Sequence, residues 1–281
     1  MVDKTNLQKY FDTKKADSRL VGPIERHLMR RVPDDRSTTV LHPSEMIKSD
    51  FCHRYSAYLL MGGKKMQSNP NLRLQNIFDE GHFIHAKWQN RIYEMGNMWG
   101  DFKCQNCNGV TSGLSPQVCE HCNCKTLIYD EVKLIDNSLR IAGHTDGWVK
   151  GLGEDFLIEI KSIGEGTLRF EAPDLLRDVD HDLKKAWKNI RRPFRGHLLQ
   201  GQMYLELAKR MFGDEAPTEI VFLYELKMDQ DYKEFTVKAD YDVVDRIFYK
   251  AQQINDAVNE GKLPKCNIDS SGCKQCDLIE E

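Results

Sequence analysis

The chain has 281 residues, 40% of them hydrophobic and 30% charged, with a formal net charge of −3. That length allows one large domain or a domain with appendages, and no run approaches the ~18 apolar residues of a membrane span. A near-neutral total excludes a broadly basic protein, so any nucleic-acid contact must come from a local patch whose charge an acidic centre offsets.

Residues 1–40 are polar and mixed in charge, with small apolar groups around Leu20 and Ile24, and read as short helices or an arm without visible function. Ser44 is a candidate N-cap for a helix that carries Cys52, runs on to Leu60 and stops at Gly62 and Gly63. Cys52 stands alone in sequence, and the common fate of a single cysteine is a buried thiol. Residues 71–95 predict an amphipathic helix, because Ile77, Gly81, Ile84, Trp88, Ile92 and Met95 recur at helical spacing. Gly81 and His85 stack one turn apart on it. His85 is either a partly buried histidine beside a packing glycine or a ligand of a cation.

Nine cysteines in clusters, with no apolar signal core at the N-terminus, argue for metal ligation in a reducing cytoplasm rather than disulfides. Cys104, Cys107, Cys119 and Cys122 form two C-x2-C knuckles separated by eleven residues, the spacing of a zinc-ribbon site. Cys124 or His121 can stand in for Cys122. Four thiolates leave no open position on the ion, so the ribbon reads as structural.

Residues 126–134 read as a strand carrying Glu131, followed by a turn at Asp136, Asn137 and Ser138. Residues 140–149 read as a second strand, Gly151 and Gly153 supply a turn, and residues 156–160 form an apolar, buried strand. Side chains alternate along a strand, so Glu159 and Lys161 share one face. With Asp146 on the adjacent strand, Asp146 and Glu159 converge on one divalent cation, with Lys161 beside it. Carboxylates and water are the ligands Mg²⁺ and Mn²⁺ prefer. Two acids, a lysine and such a cation are the parts of a phosphodiester hydrolase. The bland alternative is an edge-strand charge pair.

Residues 164–183 read as a mobile connection. Lys184, Lys185, Lys188, Arg191, Arg192 and Arg195 follow without an intervening acid, interleaved with Trp187 and Phe194. They form either a solvated helix face or a patch that tracks the phosphates of single-stranded nucleic acid. A helix over residues 197–212 places Gln200 and Tyr204 on one face, and residues 219–227 and 232–238 read as an antiparallel strand pair. A last helix over 241–260 turns Val244, Phe248, Ala251, Ile254 and Val258 inward and ends at Gly261 and Pro264. The tail holds Cys266, Cys273 and Cys276, and Cys52 is the unpaired candidate for a fourth ligand of an iron–sulfur cluster or a zinc ion. The other reading is a separate zinc completed by His or water, or a disordered tail.

Taken together, these residues resemble the RecB-type branch of the PD-(D/E)XK nucleases, which includes CRISPR-associated adaptation nucleases and stand-alone bacteriophage exonucleases. That branch carries G-x3-H, G-x-x-D, (D/E)-x-K and Q-x3-Y in order. Here they stand as Gly81 to His85, Gly143 to Asp146, Glu159 to Lys161 and Gln200 to Tyr204. The resemblance covers roughly residues 42–276, because iron–sulfur members add one early and three late cysteines, as Cys52, Cys266, Cys273 and Cys276 do here. It implies that His85, Asp146, Glu159 and the Ile160 carbonyl bind Mg²⁺ or Mn²⁺. It also implies that Lys161 is the catalytic lysine, that Gln200 and Tyr204 position DNA and active-site groups, and that the four outer cysteines hold a 4Fe–4S cluster. Two departures stand out: the late cysteines run C-x6-C-x2-C where the family usually has C-x2-C-x5-C, and the ribbon is an addition to the core motifs.

The expected fold is α/β, a restriction-endonuclease-like central mixed sheet flanked by helices, with a zinc-ribbon insertion and a cysteine-ligated iron–sulfur staple. The expected organisation is a helical region over 1–100 carrying Cys52 and His85, the ribbon over 101–128, a nuclease core over 129–240, and a helix with the cysteine cluster over 241–281. The expected function is a metal-dependent DNA exonuclease acting on single-stranded DNA or duplex ends in recombination, repair or phage DNA metabolism. Compact size and the absence of helicase motifs point to a stand-alone enzyme. Its expected location is the cytoplasm, of the host if viral, with a recombination or replication protein as a partner and no membrane. The competing readings are a non-catalytic DNA-binding adaptor using the ribbon and basic segment, and an RNA nuclease.

Overall fold

The computed structural model describes residues 19–30, 36–65, 71–268 and 273–279. The chain divides into two compact units, one from residues 1–37 and 65–83 and one from residues 38–64 and 84–281. Within the described residues the helices before the first strand are α1 (Val21–Arg30), α2 (Pro43–Met46), α3 (His53–Leu60) and α4 (Leu72–Glu94). The small unit holds α1, which buries no residue, and the first half of α4. Most of the N-terminal arm read from the sequence lies outside the described residues.

The large unit is α/β. Its strands are β1 (Met98–Cys104), β2 (Val110–Leu114), β3 (Leu127–Asp130), β4 (Val132–Asp136), β5 (Ile141–Thr145), β6 (Gly147–Val149), β7 (Phe156–Ile163), β8 (Glu219–Leu226) and β9 (Tyr232–Lys238). The main sheet runs β2-β1-β6-β7-β8-β9 with β3 also paired to β1, and β4 and β5 form a separate two-stranded sheet. β7 and β8 pair in parallel, with Glu159 opposite Phe222 and Lys161 opposite Tyr224. A parallel pair needs a long crossover. Here it is built from α5 (Glu165–Glu171), α6 (Pro173–Arg177), α7 (Leu183–Asn189) and α8 (Arg195–Phe212). β7 and β8 are buried on both faces and are correspondingly apolar, whereas the edge strand β9 alternates in exposure.

The two faces have separate covers. α8 lies on the face that carries Leu157, Phe222 and Tyr224, and it comes close because Gly201 faces the Phe222 ring, where a Cβ would collide. On the other face Ile84, Trp88 and Ile92 of α4 pack on Val149, Ile158, Ile160 and Leu223. The last helix, α9 (Asp242–Asn259), packs on α3 and α8. No described helix is long and apolar enough to cross a membrane.

The structure departs from the sequence reading at four places. The helix expected from Ser44 to Leu60 is two helices, and the second is capped by the Cys52 sulfur accepting from the Tyr55 N–H at 3.4 Å. Ser44 lies inside α2, which has no side-chain cap. The strand expected over 140–149 breaks at Asp146: β5 pairs with β4, and β6 returns to the main sheet. Side chains supply what the interrupted ladder would have: the Thr145 hydroxyl donates to the Ile158 carbonyl at 2.9 Å, and Asp146 Oδ2 accepts the Ile160 N–H at 2.5 Å. The strand expected over 126–134 breaks in the same way at Glu131, between β3 and β4. The stretch 164–183, expected as a mobile connection, forms α5 and α6, whose Leu168 and Leu176 are buried in the core.

Candidate active site

β7 carries Glu159 and Lys161 on the face beneath α8. Lys161 Nζ donates to Glu159 Oε1 at 2.6 Å and to Gln200 Oε1 at 3.2 Å, and Gln200 Nε2 donates to the Tyr204 hydroxyl at 2.8 Å. Gly143, at the head of the segment leading to Asp146, faces this row closely. A Cβ there would lie 2.8 Å from the Tyr204 ring and 3.1 Å from Pro43, so only glycine fits. Burial would strip the charge from Lys161, but Glu159 and Asp146 outweigh it and raise its pKa, so the ammonium persists.

The other half of the site is at the strand breaks. Asp146 Oδ1 lies 3.7 Å from His85 Nδ1, and one ligand atom from each of His85, Glu131 and Asp146 lies within 4.8 Å of the others. Gln89 on α4 ties the two breaks together, its Nε2 donating to Glu131 Oε1 at 3.2 Å and to the Asp146 carbonyl at 2.9 Å. Burial pushes Asp146 up to about 7, with the Glu131 charge adding to it against the pull of Lys161. Burial likewise pushes Glu159 up to about 7, with Asp146 adding and Lys161 opposing. Burial lowers the His85 pKa, so its ring is neutral and offers a lone pair, while its hydrogen bond with the Ile160 backbone turns it toward that residue.

One atom is left over. Glu159 Oε2 is buried and has no hydrogen-bond partner, although its residue is only 3% exposed. A buried, unpartnered carboxylate oxygen is expensive unless something cationic completes it. The ligand atoms that cluster are those of His85, Glu131 and Asp146, and Glu159, expected as a ligand, is not in that group; two carboxylates with a neutral imidazole suit a hard divalent cation. The residues present therefore fit Mg²⁺ or Mn²⁺. Glu131 is the member that sequence reading placed in a strand without a role; its only sequence signal is the acid pair Asp130 and Glu131 between two strand-like stretches.

Both cysteine sets assemble. Cys104, Cys107, Cys119 and Cys122 form one cluster, with Cys104 and Cys122 sulfurs 3.6 Å apart and Cys107 and Cys119 sulfurs 3.6 Å apart. Cys124 stays outside and accepts from the Thr126 N–H, and His121 binds the Val110 carbonyl. Burial would raise Cys119, but the N–H groups of His121 and Cys122 bring it down to about 6, which favours a thiolate. β1, which leads into this cluster, pairs with β6 of the main sheet through Met98 and Trp99, so the ribbon grows out of the sheet. Cys52 meets Cys266, Cys273 and Cys276, with sulfur separations of 3.8 Å to Cys266 and 3.5 Å to Cys276. Four thiolates at about 2.3 Å from one tetrahedral ion stand about 3.8 Å apart. In a cubane each thiolate binds a different iron and the four are spread wider.

The basic segment is divided. Lys184 pairs with Asp229 at 3.2 Å and Lys185 with Asp182, the N-cap of α7, at 3.5 Å. Lys188, Arg191, Arg192 and Arg195 are exposed and make no ion pair with a described residue. The interleaved aromatics, which would suit single-stranded nucleic acid in one of the two readings, are core residues: Trp187 is 3% and Phe194 6% exposed. Trp187 is held inward because its Nε1–H donates to Asp231 and Phe194 packs on Tyr224. The exposed ring nearby in sequence is Phe170 on α5.

No family model and no curated protein matches the chain. Among solved structures it is similar to LHK-Exo, an alkaline exonuclease from Laribacter hongkongensis. The complex of that protein with dAMP gives a TM-score of 0.42 at 12% identity, covering 80% of this chain and 90% of the other. A second structure of it gives 0.41 at 10% identity, with 80% and 90% covered. The structure of SSO0001 gives 0.37 at 12% identity, covering 84% of this chain and 83% of that one. At these scores the likeness carries no weight in assigning a function.

Proposed function

We propose that the chain is a divalent-cation-dependent DNA nuclease of the PD-(D/E)XK type, working as an exonuclease on single-stranded DNA or duplex ends. The observation that carries this reading is the unpartnered, buried Glu159 Oε2 beside Asp146 and a charged Lys161. Asp146, Glu159, His85, Glu131 and the Ile160 carbonyl would hold Mg²⁺ or Mn²⁺. When bound, that cation would acidify water and neutralise phosphate charge. Lys161 is kept charged by its acids and aimed by Gln200, so it can hold a proton at Nζ toward the attacking oxygen or the developing charge. Gln200 is fixed in turn by Tyr204. The exposed Lys188, Arg191, Arg192 and Arg195 would track the phosphates of the incoming strand.

The ribbon cysteines would hold zinc as a structural ion. At the Cys52 cluster the resemblance implies a 4Fe–4S cluster, while the sulfur spacing is that of one tetrahedral ion; the spacing belongs to this chain and is the stronger ground for a single ion. Either centre would staple the N-terminal helices to the tail.

The test is degradation of end-labelled single-stranded DNA, duplex DNA and RNA with Mg²⁺ or Mn²⁺ by wild type, Lys161→Ala and Glu159→Gln. The expected result is DNA shortened from an end by wild type and a loss of roughly 100-fold or more in both variants. A folded, metal-loaded wild type that binds DNA and cuts nothing would give the protein to the adaptor reading. Cleavage of RNA alone would change the substrate.

A further inference from the structure

His197 lies three residues before Gln200 and seven before Tyr204, on the side of α8 that meets Lys161. Its ring is held by Tyr224, which is the register partner of Lys161 on the adjacent strand. Neighbouring strands are about 4.8 Å apart, so His197 hangs one strand to the side of the catalytic lysine.

The hydrogen bonds decide which ring nitrogen carries the proton. The Tyr224 hydroxyl accepts the Phe194 N–H at 2.9 Å and lies 2.5 Å from His197 Nδ1. Tyr224 is fully buried, and a phenol has a single proton to donate. With no other acceptor for it among the described residues, that proton goes to Nδ1, and the imidazole's own proton is on Nε2. Burial and the charge of Lys161 push the His197 pKa down to about 3, so the ring is a neutral donor at any working pH. The residue is half-buried, and among the described residues its side chain hydrogen-bonds through Nδ1 alone, so the Nε2–H is left for a ligand.

The surroundings favour an anion. α8 begins without a side-chain cap and without an acid in its first turn, and Arg195 is its first residue. The Glu171 carboxylate lies against this turn, 3.0 Å from where a Gly196 Cβ would be, so a phosphate there competes with it. We infer that His197 donates its Nε2–H to a non-bridging oxygen of a DNA phosphate lying over Lys161, with Tyr224 as the positioning residue that fixes the tautomer. This deepens the nuclease reading and rests on it.

The test is a coupling measurement. Binding of a single-stranded oligonucleotide is measured with Ca²⁺ in place of Mg²⁺, with one methylphosphonate moved stepwise along the strand. Wild type, His197→Ala, His197→Gln and Tyr224→Phe are compared. At one phosphate the methylphosphonate is expected to weaken wild type roughly ten- to a hundredfold and to leave His197→Ala unaffected, because the contact is already gone. His197→Gln, which keeps an N–H near Nε2, should recover part of the effect, and Tyr224→Phe should blur it. The coupling should be equal at pH 6 and pH 8. Equal penalties in wild type and His197→Ala at every phosphate would reduce His197 to a packing residue in its ring cluster with Phe194 and Tyr224, and overturn the inference. A coupling that disappears above pH 7 would overturn it too, since it would need an imidazolium. Wild type that shows the coupling but cuts nothing with Mg²⁺ or Mn²⁺ would leave the contact standing and sink the nuclease reading instead. Wild type that binds no DNA sinks the contact itself.

Discussion

Glu131 and Asp146 occupy two matching breaks, one where the chain leaves the main sheet between β3 and β4 and one where it returns between β5 and β6. They flank the Val132–Thr145 pair, which brings their carboxylates together beside His85. The charge of Glu131 helps to raise Asp146. Glu131→Gln is therefore expected to weaken cation binding roughly 10- to 100-fold while leaving the fold intact. Titrating Mn²⁺ by calorimetry checks it; an unchanged affinity would remove Glu131 from the site.

The buried acids make the metal-free protein pH-sensitive. Asp146 and Glu159 are both raised from ordinary carboxylate values to about 7, so the fold prefers their protonated forms. The sign follows from linkage: their contribution to stability is complete below about pH 4 and is lost as the pH rises through about 7, at up to about 1.4 kcal/mol per pH unit for each proton released. Melting temperature in EDTA should fall from pH 5 to pH 8. Mg²⁺ or Mn²⁺ should recover more at pH 8 than at pH 5, because the cation competes with protons for the same oxygens. A flat metal-free profile would remove these groups as the source.

Gly201 sets how near α8 approaches β8. Gly201→Ala places a methyl into the Phe222 ring and is expected to cost about 1–3 kcal/mol of stability. Because Gln200 is the neighbouring residue and holds Lys161, activity should drop further than the stability loss accounts for. Comparing kcat well below Tm with the unfolding midpoint separates the two effects.

The two cysteine clusters can be counted independently. Elemental analysis is expected to return two equivalents of zinc, falling to one in Cys107→Ser and to one in Cys52→Ala. Iron with acid-labile sulfide, lost only in Cys52→Ala, would restore the cluster that the resemblance implies at that centre. Cys52 also caps α3, so its variant should lower Tm more than Cys107→Ser does.

Much of this architecture was legible in the chain. The 3.6-residue period of α4 and α9, the apolar runs of β7 and β8, and the alternation that puts Glu159 and Lys161 on one face depend on local sequence, and local sequence determined them. The ribbon cysteines were legible too, since C-x2-C is a short-range geometry, and the cluster excludes Cys124. Tertiary structure alone decided the rest. Asp146 stops a strand because its carboxylate replaces a ladder bond at Ile160, fourteen residues along the chain. Glu131 joins His85 because two sheets part at that point, and no spacing along the chain records it. Trp187 and Phe194 are interleaved with cations in sequence yet pack in the core, Trp187 with its Nε1–H on the exposed Asp231 and Phe194 against the buried Tyr224. The tautomer of His197 depends on a tyrosine and a backbone N–H brought together by a parallel strand register. Periodicity reports which face a side chain takes; only folding decides what stands opposite it.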